Sequence, residues 1–286
     1  MTAQEKFRHQ YGPWALVAGA SEGIGRSFAE HLAAQGLNLI LLSRRADVLE
    51  ASAAQIRARH GGEVATHAVD LTAPDFSGNV DAIVGQREIG FLVYNAGAVH
   101  GAGLFHDEPL DKALNLVRLN CIGPLVLTHR IGAGMKARGR GGIVLLSSLA
   151  SLAGGAYVAA YAATKAFDMV LAQSLWAELK GFGVDVLGLV AGATRTPAMA
   201  SSGLSFRKTE APSSSGPETN VLPMEPDEVV AEAFAHLAEG PLWFPGEKNR
   251  ASAAAMRAAP HGQAVEAMSA AAAGMYGRPW PLGPHR

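Results

Sequence analysis

Residues 14–25 read Trp14-Ala-Leu-Val-Ala18-Gly19-Ala-Ser-Glu-Gly23-Ile-Gly25, and this stretch decides the fold predicted for the 286-residue chain. Its first five residues form an apolar run that stops at a glycine, which predicts a short buried strand. The glycines allow a tight turn and residues 26–35 have helical spacing, so the free N–H groups of a helix N-terminus would face a bound phosphate. Plain turn chemistry explains a glycine triplet about equally well, because the spacing is not GxGxxG. The strand–loop–helix order favours a dinucleotide site.

Apolar runs and helical segments alternate along the rest of the chain. This alternation predicts right-handed βαβ units, and therefore an α/β, doubly wound sheet of the Rossmann type with seven mostly parallel strands and helices on both faces. We expect a single domain over residues 1–286, with a core at 12–246 and an Ala-rich helical tail at 247–286. The predicted strands are 14–18, 37–42, 64–69, 91–94, 142–146, 184–190 and 241–244, and the later predicted helices are 46–60, 74–86, 110–136, 157–180 and 227–239.

Composition limits the classes of partner. Lys and Arg number 24 against 25 Asp and Glu, so the net charge of −1 predicts no electrostatic surface for nucleic acid or an anionic membrane. The polar N-terminus lacks a secretory signal and no apolar run approaches the ~20 residues of a membrane span, so we expect a cytoplasmic protein without a membrane span. The single cysteine, Cys121, is expected to be a small buried residue. His100 and His106 lack partners at zinc-like spacing, so no metal site is predicted.

The segment 197–226 differs in composition from its surroundings, because it combines serines and prolines with scattered apolar residues. A long loop of this kind inside a compact domain predicts a lid over a functional site or a disordered linker. The apolar residues of such a lid favour a hydrophobic substrate, although packing of these residues on one another explains them equally well.

Polar and glycine residues follow four of the predicted strands. Gly19, Asn95, Ser148 and Gly192 would therefore meet at the carboxyl edge of a parallel sheet, where such sheets bind their ligands.

Tyr161 and Lys165 lie four residues apart in a helical segment, so their side chains would share a face. An ammonium beside a phenol stabilises the phenolate form, which makes the phenol a better proton donor and acceptor. By itself such a pair indicates little, because i,i+4 pairs occur on every helix.

The second predicted strand ends in Ser43-Arg44-Arg45, at the place where many NAD-binding chains carry an acidic residue for the ribose. An arginine can hold a 2′-phosphate through charge-assisted, forked hydrogen bonds. The start of a helix is also a poor location for two merely solvated cations. This favours NADP(H) over NAD(H). Glu22 points the other way, because its carboxylate would repel a 2′-phosphate if it faced inward.

Together these motifs, in this order, resemble the short-chain dehydrogenase/reductase family from about Trp14 to Phe244. The resemblance implies an oxidoreductase that interconverts an alcohol and a carbonyl with NADP(H). Within it Tyr161 would be the general acid and base, and Lys165 would hold the nicotinamide ribose. Ser148 would orient the substrate carbonyl, and Asn120 would anchor a water that relays protons to Lys165. Only the spacing of thirteen positions before Tyr161 separates Ser148 from Ser147.

The resemblance also implies a set of cofactor contacts along the sheet edge. Asp70 would contact adenine, Arg44 would select NADP(H), and Thr196 would hold the nicotinamide carboxamide. Ala191 replaces the proline that the family usually has after the sixth strand, which loosens the local turn. The full set of implied contacts is Gly19, Ser21, Gly23, Ile24, Gly25, Ser43, Arg44, Asp70, Leu71, Asn95, Gly97, Tyr161, Lys165, Gly192, Thr194 and Thr196.

Members of the family commonly pair long helices between subunits. The helices predicted at 110–136 and 157–180 have more apolar surface than one sheet face covers, so we expect a homodimer or homotetramer. Two other functions stay open on the same scaffold. One is a non-catalytic nucleotide-binding regulator, which would need none of the catalytic residues. The other is an isomerase or epimerase, which would consume no net NADPH.

Overall fold

The computed structural model describes residues 1–98, 103–201 and 223–282. Its centre is a seven-stranded sheet in the order β3-β2-β1-β4-β5-β6-β7, and every neighbouring pair is parallel. The predicted doubly wound sheet is thereby confirmed. The strands are β1 Trp14–Ala18, β2 Asn38–Ser43, β3 Val64–Ala68, β4 Ile89–Tyr94, β5 Gly141–Ser148, β6 Val184–Ala191 and β7 Leu242–Trp243.

Helices cover both faces of the sheet, and each face has its own buried apolar cluster. The strands are nearly continuous apolar runs because both of their faces are covered. No helix within the described residues is long and apolar enough to cross a membrane. The helices are α1 Ala3–Tyr11, α2 Gly23–Ala34, α3 Ala46–His60, α4 Phe76–Val84, α5 Leu110–Val117, α6 Gly123–Arg138, α7 Ala159–Leu179, α8 Pro197–Ser201, α9 Pro226–Ala235, α10 Glu247–Ala258 and α11 His261–Tyr276.

The predicted helical run 110–136 is helical throughout, and it contains a π-helical turn, Arg118–Ile122, that separates α5 from α6. Tyr94 donates its hydroxyl to the carbonyl of Leu119 at 2.5 Å. A Cβ at Gly123 would lie 2.0 Å from the Tyr94 hydroxyl oxygen, so the phenol fits against the turn only because that residue is glycine. The turn carries Asn120, which is fully buried. Single π-turns of this kind often occur at functional sites.

Two terminal elements differ from the sequence predictions. The polar N-terminus forms α1, which begins with a Thr2/Glu5 capping box and packs Phe7 and Tyr11 against Phe91 of β4. The pattern missed it because the helix has only a few apolar residues on one side. β7 has two residues instead of the predicted four, since it pairs only with Gly188 and Leu189 of β6.

The helical tail begins at Glu247 and is divided by Pro260, as predicted. Met268 and Ala272 of α11 pack on Val158 and Ala162, which flank the start of α7. The predicted lid, 197–226, is described only at its two ends, by α8 and by a bridge between Thr194 and Met224. Residues 202–222 lie outside the described residues.

Candidate active site

The carboxyl ends of four adjacent strands meet at one edge of the sheet. Gly19 follows β1, Asn95 follows β4, Ser148 ends β5 and Gly192 follows β6, and these strands are neighbours in the order β1-β4-β5-β6. The predicted meeting of these residues is therefore confirmed. This edge is where open parallel sheets form a ligand crevice.

The glycine loop is fixed by β4. The side-chain amide of Asn95 donates to the carbonyl of Gly19 at 2.9 Å. A Cβ at Gly25 would lie 2.1 Å from that carbonyl oxygen and 2.5 Å from the Asn95 amide nitrogen, so no larger residue fits between loop and helix. Gly23 has φ +58°, and a Cβ there would lie 2.9 Å from the Thr196 methyl group. The loop is thus tightly folded, and it lies against the segment that follows β6.

The loop also contacts the end of β2. The hydroxyl of Ser43 donates to that of Ser21 at 3.0 Å, and Ser21 is buried. Ile24 packs partly against the apolar core beneath the loop. The bond between Ser43 and Ser21 holds the loop on the end of β2, and the hydroxyl proton of Ser21 is not used by it.

Two charged groups flank this corner of the crevice. Arg45 forms an ion pair with Glu22, with 2.7 Å between guanidinium nitrogen and carboxylate oxygen. Arg44 is exposed and has no ion pair with any described residue. The negative charge of Glu22, which the sequence sets against a 2′-phosphate, is therefore balanced by Arg45, and Arg44 keeps its donors.

The end of β3 supplies the next pair of predicted contacts. Asp70 accepts hydrogen bonds from the backbone and hydroxyl of Thr72, at 2.9 and 2.7 Å. These bonds, with a smaller contribution from the charge of Arg44, hold the pKa of Asp70 below its ordinary value. Leu71 points the other way and is buried in the core. Asp70 is exposed at the crevice as an anion.

Tyr161 and Lys165 both lie in the first two turns of α7, as their spacing predicts. Tyr161 is half-buried and Lys165 is buried. The ammonium of Lys165 donates to the carbonyl of Leu146 at 2.7 Å and to the carboxylate of Asp168 at 3.0 Å. Burial lowers the pKa of Lys165, but the charges of Asp168 and Tyr161 outweigh burial and hold that pKa above its ordinary value.

The adjacent serines at the end of β5 have different environments. Ser147 is buried and donates its hydroxyl to the carbonyl of Lys165 at 2.7 Å. Ser148 is partly exposed at the crevice, and its oxygen accepts from the backbone N–H of Ala150 at 3.3 Å. The proton of Ser148 therefore stays available for a ligand, whereas that of Ser147 ties α7 to the strand.

A cation and a hydrogen-bond acceptor lie close to Gly97, which is exposed just after β4. A Cβ at Gly97 would lie 3.5 Å from the ammonium nitrogen of Lys165 and 3.6 Å from the side-chain oxygen of Asn120. The amide of Asn120 donates to Thr164 at 2.9 Å, while its buried oxygen has no hydrogen-bond partner among the described residues. The Asn120 oxygen and the Lys165 ammonium thus lie near the same point, and together with Gly97 they are called the cradle at Gly97. An acceptor beside a cation fits a hydroxyl-rich ligand such as the ribose of a nicotinamide cofactor.

The segment after β6 completes the crevice. The hydroxyl of Thr194 donates to the carbonyl of Gly192 at 3.1 Å and the residue is buried, so that hydroxyl serves the turn. Thr196 is partly exposed beside Gly23. A Cβ at Gly192 would lie 2.4 Å from the side-chain oxygen of Asn249, so α10 packs closely on this turn. Ala191, in the place of the usual proline, is the last residue of β6.

Two site residues were missed by the sequence reasoning. Asp168 lies three positions after Lys165, and a carboxylate on the same helix face was the available signal. Tyr276, at the end of α11, is close to Tyr161, since burial and the phenol of Tyr161 raise the pKa of Tyr276 to about 12. No local signal could place Tyr276 there, because it lies more than a hundred residues along the chain. His106 lines a cavity beside α7, and His100 lies outside the described residues.

This cavity of about 240 Å³ lies between the loop that leads into α5 and the residues just before Tyr161. Its walls are mainly apolar, and the polar side chains among them are His106, Glu108 and Lys112. The lining includes Phe105, His106, Pro109, Leu110, Lys112, Tyr157 and Val158.

Comparison with known proteins identifies the family of the chain. Residues 13–205 match the short chain dehydrogenase family. The chain is 30% identical over 245 residues to a 7beta-hydroxysteroid dehydrogenase of Collinsella aerofaciens, covering 86% of this chain and 90% of that protein. A solved structure of a 7beta-hydroxysteroid dehydrogenase superposes with a TM-score of 0.81 at 28% identity, covering 92% and 98% of the two chains. The short-chain dehydrogenase from Sphingobium yanoikuyae in complex with NADPH gives a TM-score of 0.74 at 30% identity, covering 88% and 95%.

Proposed function

The chain belongs to the short-chain dehydrogenase family of oxidoreductases, and on this premise we propose that it interconverts a secondary alcohol and a ketone on a bulky apolar substrate with NADP(H). The observation that carries the proposal is the cradle at Gly97, where the Lys165 ammonium and the Asn120 oxygen both lie within 3.6 Å of a Cβ placed on this exposed glycine. A pure nucleotide binder would not need an ammonium buried against a carboxylate at this position.

The nicotinamide, when bound, would supply the hydride that reaches the carbonyl carbon. The chain's own groups act on the carbonyl oxygen, where negative charge develops. Ser148 donates a hydrogen bond to that oxygen from the end of β5. Tyr161 gives it a proton in reduction and accepts one in oxidation, while the Lys165 ammonium stabilises the phenolate that reduction leaves.

Three observations support NADP(H) as the preferred cofactor. Arg44 stands exposed at the end of β2, at the place where an acid would select NAD(H). Glu22 is neutralised by Arg45 and so does not repel a phosphate there. The relative from Sphingobium yanoikuyae is in complex with NADPH. A guanidinium forms forked hydrogen bonds to a phosphate. Such bonds would distinguish NADP(H), which carries a 2′-phosphate, from NAD(H), which does not.

The apolar lining of the cavity and the relatives both support a bulky apolar substrate. A mainly apolar cavity adjoins the N-terminus of α7, and α11 packs its own apolar residues at the same end of the helix. A flat, apolar ketone such as a steroid would bury its rings there and present one carbonyl to Tyr161. The 7beta-hydroxysteroid dehydrogenase relatives support this class.

A panel of ketones, offered with NADPH or NADH while the cofactor absorbance is followed, tests the proposal. We expect steroid and other bulky ketones to consume NADPH faster than small ketones. The Tyr161→Phe variant should lose about 10²–10⁴-fold of turnover and keep NADPH binding. Tyr11→Phe is the matched control, because that phenol donates to the carboxylate of Asp185 at 2.7 Å and does not line the cavity. Undiminished turnover in Tyr161→Phe refutes the mechanism, and NADPH binding with no turnover of any ketone favours the regulator.

We also propose a homodimer or homotetramer built on α5, α6 and α7. These helices expose several large apolar side chains, and α5 packs directly beside α7. Exposed apolar surface of this kind is typical of protein interfaces. The exposed residues are Leu110, Leu114, Val117, Leu125 and Val170, together with Ile122 of the π-helical turn between α5 and α6.

A further inference from the structure

Asp168 is a buried carboxylate that the motif of the family does not include. It lies one turn after Lys165 on α7, its side chain is 1% exposed, and one of its oxygens is 3.0 Å from the ammonium of Lys165. The other oxygen is buried and has no hydrogen-bond partner among the described residues. A buried carboxylate with one oxygen that accepts no hydrogen bond lowers the stability of the folded state. A role for its charge is therefore needed to explain it.

The groups around the ion pair come from four elements. On α7 itself, Tyr161 faces Lys165. Besides burial, the charge of Asp168 contributes to raising the pKa of Tyr94 from β4 and of Cys121 from the π-helical turn. From β5, the carbonyl of Leu146 accepts a hydrogen bond from Lys165. Burial, and secondly Asp168, raise the pKa of the Cys121 thiol to about 11, so this thiol stays neutral. Lys165 is thus the one cation of the cluster among the described residues.

We propose that Asp168 is a positioning residue: its carboxylate holds the Lys165 ammonium against β5 and keeps it charged beside Tyr161. This rests on the proposed function. When the phenol O–H bond of Tyr161 breaks and an O–H bond forms on the carbonyl oxygen, the phenolate left behind is stabilised by an ammonium that keeps all three of its protons. Two of these protons are bound by Leu146 and Asp168, and the third is left for the cradle at Gly97.

Direct titration of Lys165 tests the proposal without any substrate. Protein labelled with ¹³Cε-lysine carries few signals, and the spectrum of Lys165→Gln identifies that of Lys165. In the native protein we expect its main midpoint above the ordinary value of about 10.5. Asp168→Asn keeps the shape of the side chain and removes its charge. In this variant we expect the proton affinity of Lys165 to fall at least tenfold, which lowers the titration midpoint. An unchanged midpoint overturns the proposal.

Asp185→Asn is the matched control, because Asp185 is another partly buried carboxylate whose partner is the Tyr11 hydroxyl, at 2.7 Å, rather than a lysine. It should leave the Lys165 titration unchanged. With a ketone that the native enzyme reduces, Asp168→Asn should lose kcat/KM by a factor that grows from pH 7 to pH 9, and Asp185→Asn should show no such growth. A loss that is constant with pH indicates a merely structural role and overturns the proposal.

Two measurements keep the proposal testable if Asp168→Asn does not fold. The native protein alone should show a small second inflection of the Lys165 signal near pH 6, because burial raises the pKa of Asp168 to about 6 in spite of the Lys165 ammonium. A native Lys165 midpoint at or below its ordinary value overturns the pairing, whereas a signal with no inflection near pH 6 means that Asp168 is ionised there, as the pairing requires. Asp168→Glu, which keeps the charge, should keep most of the Lys165 midpoint. If no ketone is turned over, the proposed function fails, while the titration still decides this inference.

Discussion

The guanidinium of Arg45 binds the carboxylate of Glu22 at 2.7 Å, across the mouth of the glycine loop, and Arg44 beside it has no ion pair with a described residue. The two neighbouring arginines therefore have separate roles. Arg45 cancels a negative charge in the phosphate loop, and Arg44 offers its donors to whatever binds at the end of β2.

We predict that Arg44→Ala weakens NADPH binding by roughly 10- to 100-fold, the value of one charge-assisted hydrogen bond of about 1.5–3 kcal/mol. NADH binding should change little, because NADH lacks the 2′-phosphate. Dissociation constants from cofactor fluorescence give both values. Arg45→Ala should weaken both cofactors to a similar, smaller extent, since it exposes the charge of Glu22 to the shared pyrophosphate. Equal losses for both cofactors in Arg44→Ala would refute the selection of NADP(H).

We predict opposite phenotypes for the two serines at the end of β5. Ser148→Ala should lower kcat by about 10²–10³-fold, as expected for one donor to a developing oxyanion, with a smaller loss of stability than Ser147→Ala because only the 3.3 Å bond from the Ala150 N–H is removed. Ser147→Ala should cost about 1–3 kcal/mol of stability, because its buried bond to the Lys165 carbonyl is lost. Steady-state kinetics and thermal melts on both variants separate the two. The reverse pattern would assign the carbonyl donor to Ser147.

We predict that Gly25→Ala abolishes measurable NADPH binding and destabilises the fold by about 1–3 kcal/mol, because the new Cβ would meet the Gly19 carbonyl oxygen at 2.1 Å. Gly274→Ala in α11 is the control, since nothing lies within 4 Å of a Cβ there. It should be neutral or stabilise by up to ~1 kcal/mol through helix propensity. Normal NADPH affinity in Gly25→Ala would show that the loop is not a close-contact cradle.

We predict a pH-dependent stability difference between the native protein and Asp168→Asn. Burial raises the pKa of Asp168 to about 6, so the folded protein binds a proton that the unfolded chain, near 3.8, has already lost. Stability contributed by this group is therefore highest below about pH 4 and is lost as pH rises through 6. The free energy of unfolding of the native protein, relative to the variant, should fall between pH 4 and pH 7 in urea melts. A constant difference across that range would mean that Asp168 stays ionised throughout.

We predict that Leu114→Glu or Val117→Glu, on the exposed face of α5, converts the assembly to monomers at micromolar concentration in light scattering after gel filtration. A carboxylate buried in an apolar interface is strongly unfavourable. Val265→Glu, which changes a comparably exposed apolar residue of α11, should leave the assembly intact. A native protein that is monomeric would refute the interface at once.

The sequence by itself determined the order of strands and helices, the parallel sheet, and the meeting of the glycine loop, Asn95, Ser148 and Gly192 at one edge. These features follow from the apolar runs of buried strands, from the spacing of about 3.6 residues in helices and from the handedness of βαβ units, all of which are local properties of the chain. The helical spacing of Tyr161 and Lys165 was likewise readable. The sequence could not show which serine hydroxyl is exposed to a ligand, because the environments of Ser147 and Ser148 are set by α7 packing on β5.

Only the tertiary structure decided the remainder of the site. The π-helical turn that buries Asn120 depends on Tyr94 and Gly123, which come from different elements, so no periodicity within α5 or α6 reveals it. The ion pair between Glu22 and Arg45 joins two loops. Asp168 owes its effect to burial, which a sequence does not state: on an exposed face the same i,i+3 pair would be a solvated contact, and at 1% exposure it holds the charge of the lysine beside Tyr161.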